Sequence, residues 1–403
     1  MNTKKDKKGL LIFSLVFTFI ICTTYLISIY ARGYQINFKK GLSLSATGLI
    51  SATSKPKSAP VFINDHLVTA TDDTINLTPD NYIIKIAKDG YFPWVKKVTI
   101  KKEVVYQTDS HLFRSVPDIK IITPIGAINP TISSDNSKII FSVASASASK
   151  DNGLYQFDLS SSSIFPINKS NLHQLAPNFH GIDWSKYTFE ISPNSKQLIA
   201  TSTINKTSFL INLEEVINQN NIKDISIRKD IIIKEWKDQE KTQISDKINK
   251  LPIIFKNFVS TQSAKNIQYN QTEEKVLYLS DSDHKLESIL ISPPLDQSTQ
   301  IQDRQIKKDH WYIYNLKDDT NFMIGSRNDV INPTWLNNSN SIVYIQDKSI
   351  KVIEYDSTNK QTIFSGNFIN NMVYPSINGN QIIILSNLYN NNNAENLYSL
   401  TIR

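Results

Sequence analysis

The chain has 403 residues, 40% hydrophobic and 20% charged, enough for two or three domains and a sizeable core. Its net charge is +7, but Lys4, Lys5, Lys7 and Lys8 against Asp6 supply +3 of that, and the remaining +4 is spread thinly, which excludes the clustered basic footprint of a nucleic-acid binder. The single cysteine, Cys22, excludes an intrachain disulfide, so the fold must be held by packing.

Residues 1–8 are a basic tail, and residues 9–30 contain no charged side chain. At about 1.5 Å per residue that apolar run crosses a hydrocarbon core of about 30 Å. The lysines before it predict a cytoplasmic tail and an external remainder, although Arg32, Lys39 and Lys40 on the far side weaken the asymmetry. The alternative is a signal peptide cut near Ala31. Its apolar region is too long for that, and Ile29 is a poor residue three back from a cut. Ile21 before Cys22 also spoils a lipobox. The expectation is one uncleaved transmembrane helix. Residues 31–47 then read as a stalk, in which Tyr34, Ile36 and Phe38 alternate like a short strand.

Residues 48–103 carry a strand signature. Apolar runs at 49–52, 60–63, 82–86 and 95–100 are separated by turn residues at Lys55-Pro56, Asn64-Asp65, Asp80-Asn81 and Asp89-Gly90. That spacing predicts a small β-sandwich. Pro56-Lys57-Ser58-Ala59 leading into Val61-Phe62-Ile63-Asn64, then Thr78-Pro79 and Asp89-Gly90-Tyr91, resembles the motif of PEGA domains. Ser58, Asp65 and Asp80-Asn81 depart from it where the family prefers Gly, Gly and Pro-Gly. Asn and Asp tolerate left-handed turns, so the fold survives such swaps. The resemblance implies an envelope β-sandwich rather than an enzyme. The aromatic run Tyr91-Phe92-Pro93-Trp94 reads as core packing in preference to a carbohydrate platform. Residues 104–117 read as a linker.

The rest, 118–403, is organised by a repeat. NPTISSDNSKIIF at 129–141 joins a short strand, a polar turn and an apolar strand, and degenerate copies stand at 190–199, 268–277, 332–343 and 374–383. Five such units predict a β-propeller. The last unit runs out of chain after three strands, so residues 118–123 are expected to supply its fourth and zip the ends together. The first unit's fourth strand is expected at 164–167, and the second's within 224–234. The count is five blades, with a sixth left open in 168–186 or 282–309. Residues 236–259 break the pattern, with Ile244, Ile248 and Leu251 at helical spacing and Pro252 opening a second short helix. This helical insertion is expected to bury its stripe on the propeller; docking of a partner is the rival reading. The eroded turns Ser134-Asp135-Asn136, Ser192-Pro193-Asn194 and Asn378-Gly379 resemble the WD40-like repeats of TolB-type propellers. An anchor, a PEGA-like module and a propeller together resemble envelope proteins of bacteria.

Chemistry is sparse. His66, His111, His173, His180, His284 and His310 show no metal-ligand spacing, and there is no G-x-S-x-G, P-loop or dinucleotide fingerprint. Asp281-Ser282-Asp283-His284 and Asp72-Asp73 read as solvated turns rather than calcium loops. Among the expected inner strands only Glu190 is acidic, and one carboxylate makes no acid/base pair. No catalytic, cofactor-binding or metal residue is therefore expected. The overall expectation is a mainly β, single-pass, membrane-anchored extracytoplasmic binding or scaffold protein whose propeller meets an envelope protein or a cell-wall polymer. The alternatives are a wall-active glycoside hydrolase using Glu190 and a structural spacer that binds nothing.

Overall fold

The computed structural model describes residues 3–31, 34–37, 43–144, 146, 148–159, 171–259, 263–290, 294, 298–337, 340–369, 373–388 and 395–403. The fold is mainly β, preceded by one long helix, α1 (Thr3–Ala31). It separates into two compact units. One comprises Met1–Asp89, Pro93–Leu112 and Pro293–Gln300, and the other Gly90–Phe92, Phe113–Ser292 and Ile301–Arg403.

In the first unit, Tyr34–Asn37 pairs antiparallel with Ser43–Ala46, so the alternation at Tyr34 and Ile36 does form a strand; Phe38 lies outside the described residues. Beyond it lies a four-stranded sheet in the order His66–Ala70, Pro60–Ile63, Asn81–Ile86, Trp94–Thr99. A three-stranded sheet follows the order Val105–Gln107, Gly48–Ala52, Asp73–Leu77. Alternation in the inner strands and in Trp94–Thr99 buries one face: Val61, Ile84, Ile86 and Val98 from the first sheet, Ile50 and Ala52 from the second. Residues 104–117 are not a plain linker. Val105–Gln107 and Ser110–His111 add in parallel to Gly48–Ala52 and Ser54–Lys55. Thr108 Oγ1 and Ser110 Oγ both donate to the Thr53 carbonyl, each at 2.8 Å. Two of the departures from glycine sit where glycine would be easiest, Ser58 at φ 57° and Asp65 at φ 64°. Trp94 is buried in this unit, while Phe92 belongs to the other and packs there against the apolar cluster around Phe113, so neither ring forms an exposed platform.

The second unit holds five four-stranded antiparallel sheets among the described residues. The first is Ile128–Ile132, Lys138–Val143, Gly153–Asp158 and Leu172–Pro177, the second Tyr187–Ile191, Gln197–Ser202, Ser208–Asn212 and Lys223–Asp224. The third is Ala264–Tyr269, Lys275–Ser280, His310–Asn315 and Thr320–Ser326, the fourth Ile331–Trp335, Ser341–Gln346, Ser349–Glu354 and Gln361–Ser365. The fifth takes Val373–Pro375, Gln381–Ser386 and Asn396–Thr401 from the end of the chain and Asp118–Ile121 from far upstream. The expected pairing is present: Asp118 lies opposite Thr401 and Ile121 opposite Tyr398.

Repeated local chemistry makes these sheets alike. Ser133, Ser192 and Ser376 each donate to the residue two ahead, Asp135, Asn194 and Asn378. Each also accepts an N–H from the start of the second strand: Lys138, Gln197 and Gln381. Asn270 and Lys275 make the same closing bond in the third sheet. The turn then passes through a left-handed residue, Asn136, Ser195, Glu273 or Gly379. At Gly379 a Cβ would collide with the Asn337 carbonyl, so that copy needs glycine. Asn129, Asn266 and Asn332 adopt the same left-handed bulge in three first strands.

Three expectations are corrected. The fourth strand of the first sheet is Leu172–Pro177, whereas 164–167 falls outside the described residues. The stretches raised for a sixth blade hold no further four-stranded sheet among the described residues. The first gives this strand and a 3-10 turn, and the second only the ribbon His284–Lys285 with Gln305–Ile306. The helical insertion starts earlier than Trp236: α2 runs Lys229–Asn249 and α3 Ile253–Phe258. Ile231-Ile232-Ile233 reads as a strand by composition, but Ile232, Ile233 and buried Trp236 pack as one helical stripe on Ile199 and Ile225.

Apolar clusters join the sheets in sequence. One joins first to second through Ile140, Leu154, Leu198 and Ala200, and another third to fourth through Leu277, Ile313, Ile342 and Tyr344. A further one joins fourth to fifth through Val343, Val352, Ile382 and Ile384, and another fifth to first through Ile383, Leu385, Ile139 and Phe141. Between second and third the helices intervene: α2 covers Ile199, while Leu251, Phe255 and Phe258 cover Val276, Tyr278, Tyr312 and Tyr314.

Candidate binding cavity

The polar turns that close each first strand point to one end of their sheets, and helix α2 lies beside them. Where they meet, a cavity of about 450 Å³ opens, within the usual range for ligand sites. The first sheet contributes Ser134 and Asn136 from its turn, the third Ile267 to Tyr269, and the fourth Thr334, Trp335 and Asn337. Glu240, Gln243, Ile244 and Lys247 come from α2 at helical spacing, so one face of the helix forms a wall. A second cavity of about 600 Å³ shares Glu240, Ile244, Ile267 and Gln268 with the first.

The strand side is rigidly built. Trp335 Nε1 donates to the Gln268 carbonyl at 3.2 Å, and Gln268 Nε2 donates to the Pro333 carbonyl at 3.0 Å, locking third and fourth first strands together. Asn129 Nδ2 likewise donates to the Tyr187 carbonyl at 2.9 Å between the first two sheets. On the helix side, Lys229 pairs with Glu190 at 3.4 Å, and Lys247 and Lys250 reach Glu273 at 3.7 and 3.8 Å. These half-exposed pairs guide the helix more than they stabilise it. Lys247 also sits 5.5 Å from the centre of the Tyr269 ring. Burial, then the Glu273 charge, pushes the Tyr269 phenol up to about 12, so it stays protonated; its hydroxyl is buried without a hydrogen-bond partner.

The residues weighed from the sequence lie elsewhere and are engaged. Asp281 pairs with Lys265 at 2.6 Å, Asp283 accepts the Lys308 N–H, and His284 stacks on Phe258. Asp72 pairs with Lys57 at 3.0 Å, and Asp73 accepts from Thr69. Among the described residues no group of three His, Cys, Asp or Glu side chains is arranged to hold a metal ion. Sequence reasoning missed the cavity itself. Its only advance signal was that Asn136 and Trp335 belong to copies of the repeated turn.

Among the described residues, a buried charge with many partners is structural. Asp319 is 3% exposed and accepts hydrogen bonds from Ser288 Oγ, the N–H groups of Ile289 and Leu290, Arg304 Nη1 and Tyr314 Oη, all at 2.6–3.0 Å. Arg304 also donates to the Asp319 carbonyl. Burial alone would raise this carboxyl, but the Leu290 N–H, the Tyr314 hydroxyl, Arg304 and the Ile289 N–H outweigh it and hold it below the ordinary range.

None of the curated proteins matches this sequence. Among solved structures, TolB from Acinetobacter baumannii is similar at 10% identity over 80% of this chain, TM-score 0.23, and this chain spans only 60% of the TolB chain. The WD40 repeats of RRP9 are similar at 8% identity, covering 72% of this chain and 99% of that one, TM-score 0.29. An oligogalacturonate lyase in complex with manganese is similar at 10% identity, covering 84% and 82%, TM-score 0.23. Residues 47–115, which hold the four- and three-stranded sheets, the short pair Ser54–Lys55 with Ser110–His111 and the left-handed turns at Ser58 and Asp65, match the PEGA domain.

Proposed function

We propose that this protein is a membrane-anchored, extracytoplasmic binding or scaffold protein of a bacterial cell envelope. In this reading residues 1–8 are cytoplasmic, 9–30 span the membrane, 31–47 are a stalk, 48–103 are the body of the PEGA-like sandwich and 104–117 connect onward. Residues 118–403 are a five-bladed propeller closed through 118–121, with α2 and α3 wedged between the second and third blades. The observation that carries the reading is the span Leu11–Ile29, with mean hydropathy 2.2 and none of it buried against protein. A nineteen-residue helical span that is mostly apolar and mostly exposed is costly in water and favourable in lipid. The ring is supported by the order of the apolar clusters, which run from the third sheet through the fourth, fifth and first to the second, with α2 and α3 standing between the second and the third.

Protease treatment of intact cells carrying a C-terminal tag tests the topology. Digestion of the tag without breaking the membrane is expected; protection until lysis sinks the extracytoplasmic assignment. Pull-down from native envelope with and without 118–403 then separates a binding propeller from a spacer. Sugar released from envelope glycans and abolished by Glu190→Gln would instead favour the hydrolase, but Glu190 is paired with Lys229 at 3.4 Å.

A further inference from the structure

We infer that the cavity beside α2 takes a neutral, hydroxyl-rich glycan segment; this rests on the binding reading above and narrows it. The argument is an inventory of unspent groups. The side chains of Ser134, Asn136, Gln243, Thr334 and Asn337 line the cavity and make no side-chain hydrogen bond among the described residues. They come from two sheets and a helix, yet converge on one volume. Three are amides, which both donate and accept, and two are hydroxyls, which do the same. A ligand that matches them must offer donors and acceptors together at short intervals. A sugar ring does so at each hydroxyl. A peptide would call for apolar side-chain pockets or a charged anchor. Here polar side chains outnumber the apolar ones, Pro193, Ile244, Ile267, Tyr269 and Trp335, and Trp335 is 6% exposed and already locked through its indole N–H.

Charge narrows the class further. Lys247 lies 3.7 Å from Glu273 and over the face of Tyr269, so its charge is partly countered before an anion arrives. Glu240 also lines the cavity and has no ion-pair partner. A site with one free carboxylate and its only ammonium engaged repels anionic polymers such as uronates or phosphate-linked chains. What remains is an uncharged saccharide, held by several modest hydrogen bonds that individually contribute about 0.5–1.5 kcal/mol.

The test uses the full chain in a detergent without a sugar headgroup, titrated calorimetrically with chitotetraose and, separately, with tetragalacturonate. Chitotetraose is expected to bind at least tenfold more tightly. Gln243→Ala with Asn136→Ala should weaken it tenfold or more, and Glu240→Gln should improve tetragalacturonate while leaving chitotetraose within twofold. A circular-dichroism melt of each variant within 3 °C of the parent guards against loss of fold, since Glu240 and Gln243 are exposed and Asn136 is half-buried in a turn. Tetragalacturonate binding as well as chitotetraose, no binding of either, or chitotetraose binding unaffected by the double variant would each overturn the inference. The last result would leave the broader binding reading standing, because a glycan would then bind elsewhere on the same chain.

Discussion

Asp319→Asn is the sharpest single test of how the third sheet is held. The carboxylate is 3% exposed and accepts from two backbone N–H groups, two hydroxyls and a guanidinium. Asparagine has the same size, but its amide turns one acceptor into a donor and removes the charge facing Arg304. At least one N–H then faces another N–H, and Arg304 is left partly buried without its counter-ion. Breaking a buried pair in this way costs about 3–5 kcal/mol. With a urea slope of about 1–3 kcal/mol per molar, the midpoint should fall by about 1 M or more. The segment carrying Ser288, Ile289 and Leu290 should also become sensitive to limited proteolysis before global unfolding, because Asp319 is what fixes it. The pH dependence has a definite sign. The folded carboxyl lies below its unfolded value of about 3.9, so its contribution is complete above about pH 4 and is lost as pH falls through the folded value. The gap between parent and variant should therefore be constant from pH 5 to 8 and shrink only in stronger acid. A variant within 1 kcal/mol of the parent, or a gap that widens on acidification, would refute the reasoning.

Other outcomes follow from the same packing. Phe255→Ala removes a ring with no exposed surface, stacked 4.2 Å from Tyr314 and edge-on to Tyr278 at 5.4 Å, and should cost about 3–5 kcal/mol in denaturant unfolding. Ile122→Ala, just beyond the strand paired with the chain's last strand, should cost about 2–5 kcal/mol, because Ile122 is 4% exposed in the cluster between fifth and first sheets. A loss under 1 kcal/mol would mean that this segment is dispensable. Ser58→Gly should instead raise stability by about 1 kcal/mol, since it removes a side chain held at φ 57°. A lower melting temperature for that variant would show that the hydroxyl does something the geometry does not reveal.

Much of the architecture was legible where the chain repeats its own turn chemistry. Ser133, Ser192 and Ser376 stand at equal offsets from the strands they cap, and that offset is local, so it survives in sequence. The pairing of Asp118–Ile121 was legible by bookkeeping, because a last sheet with three strands needs a fourth. Less could be read where the deciding partner is distant. Val105–Gln107 is three residues long, and its parallel neighbour Gly48–Ala52 lies more than fifty positions upstream. Leu172–Pro177 alternates poorly and ends in proline, which demotes a strand unless it sits at an edge, as it does. The β-branched run at Ile231 to Ile233 has the composition of a strand and the periodicity of neither element over so few residues. Trp236 settles it by packing one turn further on. The cavity was least legible of all, since its walls come from residues 134 to 337 and exist only once the sheets are assembled.

The position of α2 explains why a helix pair, rather than another sheet, lies between the second and third sheets. A four-stranded sheet presents a broad apolar face on each side and a row of turns at its end. A helix presents a stripe and a polar face together. Trp236, Ile232 and Ile233 use the stripe to cover the second sheet, while Glu240, Gln243 and Lys247 put polar groups along the cavity. The two roles fall on different residues of one element, so they can be separated. Trp236→Ala should lower stability by about 3–5 kcal/mol and loosen the cavity wall as a consequence. Gln243→Ala should leave stability within about 0.5 kcal/mol, as an exposed helical position does. If both variants lose stability equally, the polar face of α2 is packed structure, and the cavity is an incidental gap between sheets rather than a place built to receive something.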